Sequence, residues 1–140
     1  MKIISKTGLL LIILVFSVIS LNGQEPEIEI TFFQPEEFIN NYKLEIFALL
    51  LDARPASMYK KSRIEGAINA GSKEVLKVMS DTLDANSPLY IYCSTQSRST
   101  SAAEFLVDEG FTKLYVMVGG MMEWKSLDLP LDRKRLGKKT

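Results

Sequence analysis

Apolar and polar positions fall along the chain in two recurring patterns. Short continuous apolar runs, Phe47-Ala48-Leu49-Leu50-Leu51, Leu89-Tyr90-Ile91-Tyr92 and Leu114 to Val118, are bounded by turn residues. That is the pattern of strands covered on both faces, and hence of a parallel sheet. Two weaker signals accompany them: Ile28 and Ile30 alternate within the acidic stretch Gln24 to Thr31 as a short edge strand does, and Gly66 to Ala70 reads as another short strand.

Helical signals fill the intervals. Gln34-Pro35-Glu36-Glu37 is a helix start, because Pro35 suits the first helical position and the carboxylates favour the positive end of the dipole, with Phe38, Ile39 and Tyr42 facing inward. A second helix is predicted from Pro55. Ser72 is placed to cap a third, whose apolar positions Val75, Leu76, Met79 and Leu83 share one side. A fourth opens at Ser97 with Ala102, Phe105 and Leu106 inward and closes at Gly110, with Phe111 folding back toward Leu106. Gly119-Gly120 turns the chain into a short helix carrying Met122 and Trp124, and Leu129-Pro130-Leu131 ends the ordered part.

This alternation predicts an α/β domain with a mostly parallel central sheet flanked by helices on both faces. Ligands of such sheets bind beyond the carboxyl ends of the strands. Cys93, directly after the run Leu89 to Tyr92, stands at that end of a central strand.

Composition narrows the chemistry. The 140 residues are enough for one domain, and 46% apolar content is that of an ordinary globular protein. Residues 1–23 have Lys2 and Lys6, the apolar block Leu9 to Phe16, and a small, polar tail before Gln24. That layout predicts a signal peptide, the alternative being an uncleaved N-terminal anchor; either predicts an exported domain, periplasmic or extracellular, over 24–131. The remaining residues, 132–140, form a basic tail with Arg133, Lys134, Arg135, Lys138 and Lys139, either solvated or in contact with anionic lipid or an acidic partner. Loss of the leader takes the basic residues from 17 to 15 against 17 acidic ones, which predicts no nucleic-acid role.

One cysteine and no histidine are present. An internal disulfide is impossible, a Cys-His or Ser-His nucleophile pair is excluded, and zinc would have almost no nitrogen or sulfur ligands; no metal or cofactor is predicted.

The segment Cys93-Ser94-Thr95-Gln96-Ser97-Arg98-Ser99 lies between strand and helix, where consecutive backbone N–H groups turn toward one point and hold an anion. A thiolate is itself such an anion, and Arg98 adds positive charge if its side chain folds inward. The plainer alternative makes Cys93 a small packing residue and Arg98 a surface cation.

Cys93 followed by four residues and Arg98 resembles the loop of the rhodanese-like family. Leu51-Asp52-Ala53-Arg54 resembles the family's early Asp-x-Arg, and Arg63-Ile64-Glu65-Gly66-Ala67-Ile68-Asn69 its His-Ile-Pro-Gly-Ala-Ile-Asn stretch. Val118-Gly119-Gly120, Trp124 and Leu129-Pro130 resemble the closing elements, so the resemblance spans Phe32 to Leu131. It implies a rhodanese-like fold and a sulfurtransferase that carries sulfur as a persulfide on Cys93, with Ser94, Thr95, Gln96, Ser97, Arg98 and Ser99 as the substrate-binding loop. The partners implied are a small sulfane-sulfur donor and a thiophilic acceptor. Two positions depart from the family pattern: Gln96 stands where glycine is common and Arg63 where histidine is. If Gln96 needs positive φ, it costs about 1 kcal/mol relative to glycine. Two other readings remain open, a binding or thiol-sensing module and a cysteine phosphatase or arsenate-reductase-like enzyme. The last is disfavoured because that chemistry uses five residues between cysteine and arginine.

Overall fold

The computed structural model describes residues 28–136; the leader expected over 1–23 lies outside the described residues. The strands are β1 (Ile30–Phe33), β2 (Leu49–Asp52), β3 (Ile68–Asn69), β4 (Leu89–Tyr92) and β5 (Leu114–Met117). The helices are α1 (Pro35–Leu44), α2 (Ala56–Lys61), α3 (Lys73–Thr82), α4 (Ser97–Asp108) and α5 (Gly120–Ser126). All strand pairs are parallel, in the order β1-β5-β4-β2-β3, so the α/β reading holds and β4 is central.

Period-two alternation splits the sheet's side chains between two cores. Leu89, Ile91 and Cys93 face α3 and α4 with Leu51, Val116, Leu76, Ala102 and Leu106. Tyr90 and Tyr92 face the other way, with Phe38 of α1, Leu50, Met117 and, from α5, Met121 and Trp124. The three inner strands β2, β4 and β5 are covered on both faces, which is why their sequences read as apolar runs, while the edge strands β1 and β3 keep exposed positions at Phe32 and Ile68.

The caps follow the expected chemistry. The Ser72 hydroxyl accepts the Val75 N–H at 3.3 Å, and Gly110, at φ 93°, ends α4 so that the Phe111 N–H reaches the Leu106 carbonyl at 2.9 Å.

Several expectations shift. The first strand starts at Ile30, so Ile28 stands outside it. Phe47 is not in a strand: it is 87% exposed at φ 64°, and β2 starts only where Leu49 pairs with Leu89. Val75 faces solvent, because Leu76, Met79 and Leu83 already cover the side of α3 that meets the sheet. In α5 it is Met121 that is buried, while Met122 is exposed.

Past Leu131 the chain keeps contact with the domain. Asp132 pairs with Arg63 through both backbone N–H groups, at 3.0 and 2.8 Å, and through a 2.7 Å ion pair. Arg63, buried, also donates to the Lys134 carbonyl and lies over the Tyr59 ring.

Candidate active site

Cys93 follows the last residue of β4 and keeps the inward alternation of Leu89 and Ile91, so its side chain is 1% exposed. Taken alone, that burial fits the packing alternative. The surroundings of the sulfur also favour an anion. Its burial, the largest single influence, pushes the thiol pKa up; the Ser99 hydroxyl and the backbone N–H groups of Ser99, Thr95 and Arg98 together outweigh it, and Cys93 ends below the ordinary thiol range. Neutral dipoles and the opening turn of α4 thus favour the thiolate, with no basic side chain in contact.

The Ser99 oxygen lies 3.4 Å from Sγ and 2.8 Å from the Gln96 carbonyl, yet its hydroxyl carries a single proton. With the thiol protonated, the S–H donates to the serine oxygen and the hydroxyl to Gln96. With the thiolate, the hydroxyl turns to sulfur, and the Gln96 carbonyl keeps the Thr100 N–H at 3.0 Å.

The loop is held in this orientation from behind. The Met121 and Met122 N–H groups at the start of α5 take the Cys93 carbonyl at 2.8 Å and the Ser94 carbonyl at 3.0 Å. With those carbonyls turned toward α5, the N–H groups are free to face the sulfur. Gly120 makes the approach possible: a Cβ there would stand 2.5 Å from the Cys93 carbonyl oxygen and 2.7 Å from the Thr95 nitrogen.

Gln96 adopts φ 155°, the positive range anticipated from the glycine common at this position in the family. Its side-chain oxygen accepts the Gly119 N–H at 3.3 Å, which ties the loop once more to the α5 turn.

A cavity of about 390 Å³ opens over the sulfur, lined by Met58, Cys93, Ser94, Thr95, Ser97 and Arg98. The loop residues singled out in the sequence therefore converge, but in different roles. Ser99 is buried against the sulfur, and Gln96 shapes the backbone. The Arg98 side chain is exposed, and its contribution at the sulfur comes from its backbone N–H, not from its guanidinium. Sequence reasoning passed over Met58, whose sulfur lies 3.8 Å from the Ser94 hydroxyl, and the two α5 amides. The Gly119-Gly120 doublet ahead of a helix was the available signal for those amides.

The Asp52–Arg54 pair belongs to the opposite face. Arg54 reaches Asp52 at 2.6 Å and the Ser62 carbonyl at 2.6 Å, and the Tyr92 hydroxyl donates to Asp52 at 2.9 Å while accepting the Ile64 N–H. Among the described residues no group of three His, Cys, Asp or Glu side chains is placed to hold a metal.

Known proteins share both sequence and architecture. The chain is 32% identical over 85 residues, 61% of this chain and 76% of the relative, to the thiosulfate sulfurtransferase GlpE of Actinobacillus succinogenes. It is 31% identical over 78 residues, 56% of this chain and 72% of the relative, to the protein of that name from Coxiella burnetii. Among solved structures, the polysulfide-sulfur transferase homodimer of Wolinella succinogenes superposes with a TM-score of 0.62 at 21% identity, covering 75% of this chain and 80% of that one. A thiosulfate sulfurtransferase from Pseudomonas aeruginosa does so with a TM-score of 0.62 at 22% identity, over 79% of this chain and 22% of the larger one. The family model for the rhodanese-like domain matches residues 34–127, most of the described fold and the whole loop from Cys93 to Ser99, and the chain belongs to that family.

Proposed function

We propose that this protein is an exported sulfurtransferase that carries sulfane sulfur on Cys93. The observation that carries the reading is the convergence of the Ser99 hydroxyl and the Thr95, Arg98 and Ser99 N–H groups on a buried sulfur, which favours an anion there against the cost of burial. The names of the GlpE relatives support the reaction class, and the residue 1–23 pattern supports export.

In the first half-reaction the Cys93 thiolate attacks the outer sulfur of a donor such as thiosulfate. A sulfur–sulfur bond forms to Sγ while the donor's own sulfur–sulfur bond breaks, and sulfite leaves with the electron pair. The persulfide keeps its negative charge on the terminal sulfur, toward the cavity and within reach of the loop N–H groups. In the second half-reaction a thiophilic acceptor attacks that sulfur, and the electron pair of the cleaved bond returns to Cys93 as thiolate. This is covalent catalysis with ping-pong kinetics, in which the Ser99 hydroxyl and the loop N–H groups, by favouring the thiolate, take the place of a basic side chain.

Incubation of the purified protein with thiosulfate, followed by intact mass measurement, tests the proposal. The wild type gains one sulfur atom and loses it to cyanide, and Cys93→Ala does neither. A wild type that takes up no sulfur, or a Cys93→Ala variant that transfers at the wild-type rate, rejects it.

A further inference from the structure

The turn between α1 and β2 reverses the usual disposition of its residues. Its charged member, Glu45, turns inward and accepts the Tyr90 hydroxyl at 2.7 Å. Its apolar members turn outward together with Leu44, the last residue of α1: Leu44 is 81%, Ile46 76% and Phe47 87% exposed. Phe47 does so at φ 64°, a left-handed conformation that a bulky side chain rarely adopts. Isolated exposed apolar residues are ordinary, but three large ones adjacent on a turn, one of them in a strained conformation, mark a contact surface.

The parallel sheet says where this surface lies. All strand amino ends share one end of the sheet, so the turn that leads into Leu49 and the chain that leads into Ile30 are on the same side of the molecule. Cys93 is at the opposite, carboxyl end. The sequence leading into Ile30 carries the apolar block Leu9 to Phe16, the most apolar stretch of the chain. Eleven residues lie between Phe16 and Ile28, a reach of at most about 40 Å. A second copy of the chain is a poor occupant, because one turn offers far less than the roughly 800 Å² per partner of a stable interface.

The geometry points to a bilayer: the domain rests on a lipid surface through Leu44, Ile46 and Phe47, with residues 1–23 retained as its anchor and the Cys93 cavity turned away toward water. The full chain in phosphatidylcholine–phosphatidylglycerol vesicles tests this. In a Cys93→Ser background, a nitroxide is attached at Phe47→Cys or at Met122→Cys, an exposed position on the catalytic side. Collision rates with dissolved oxygen and with a water-soluble nickel chelate give the depth of each label. The expected result is that the label at 47 is shielded from nickel and open to oxygen, while the label at 122 shows the reverse; Leu44→Cys gives the same reading if Phe47→Cys fails to fold. A label at 47 as open to nickel as the one at 122, or a chain that stays in the aqueous phase, overturns the proposal.

Discussion

A single hydroxyl proton separates the two ionisation states of Cys93. Because a charged sulfur accepts the Ser99 hydroxyl far better than a neutral one does, the hydroxyl contributes to the thiolate and little to the thiol. A hydrogen bond to a charged group contributes about 1.5 to 3 kcal/mol. At about 1.4 kcal/mol per tenfold, Ser99→Ala therefore slows alkylation of Cys93 by iodoacetamide at neutral pH about tenfold or more, and its alkylation midpoint moves to higher pH. Stability follows the same sign. A folded-state pKa below the unfolded one makes its full contribution above the unfolded thiol range, and that contribution is lost as pH falls through the folded value. Urea midpoints of the wild type should therefore rise between those two points, and those of Ser99→Ala should rise less. Gln96 presents a different balance. At φ 155° it carries strain that glycine would not, against which stand the greater chain entropy of glycine and the long Gly119 hydrogen bond. Because the opposing contributions are of similar size, Gln96→Gly should change stability by less than about 1 kcal/mol, read from the urea midpoint. The sequence disclosed the loop, and even the awkward position of Gln96, because spacing and residue type are local properties. It left open whether the Arg98 guanidinium or its N–H meets the sulfur, since that depends on how a side chain leaves the first turn of a helix.

At the scale of elements, α5 is a clamp more than a wall. Two of its free N–H groups satisfy the Cys93 and Ser94 carbonyls, and Gly120 permits that approach. The positive φ of 57° at Gly120 adds a second reason for glycine there. Gly120→Ala should cost at least about 2 kcal/mol in urea unfolding, because the blocking atoms are backbone and have nowhere to go. Its alkylation rate per folded molecule should also fall, since a loop pushed away from α5 no longer presents its N–H groups to the sulfur. Element positions were largely legible from apolar period and turn residues, and element edges were not. Phe47 reads as strand because it adjoins Leu49 to Leu51, yet pairing with β4 begins only at Leu49. In α5 a helix of seven residues is too short for its period to choose between Met121 and Met122; the choice follows from docking onto the loop.

For the molecule as a whole, the sheet separates two kinds of polar chemistry by alternation along β4. Cys93 faces α3 and α4, while Tyr92, one residue earlier, faces the buried network of Asp52, Arg54 and Tyr92. That network joins the carboxyl ends of β2 and β4 to the Ser62 carbonyl after α2 and to the Ile64 N–H. Burial opposes the charge on Arg54, but the hydrogen bonds and charge of Asp52 prevail and hold its pKa above the ordinary value, so the guanidinium keeps its charge. Removing one partner leaves the other charge buried, which costs about 3 to 5 kcal/mol. Arg54→Met should therefore lower the urea midpoint severely, and the double change Asp52→Leu with Arg54→Met should recover part of the loss, because it removes the stranded carboxylate. Cys93→Ala deletes one small group and should cost far less. The reactivity of Cys93 per folded molecule should survive Arg54→Met, since the side-chain hydrogen bonds of the network end on Ser62 and Ile64 and not on the Cys93 loop. A proportionate loss of thiol reactivity in the folded fraction would instead mean that the two faces of β4 are coupled, and that the network orients the loop as well as holding the strands.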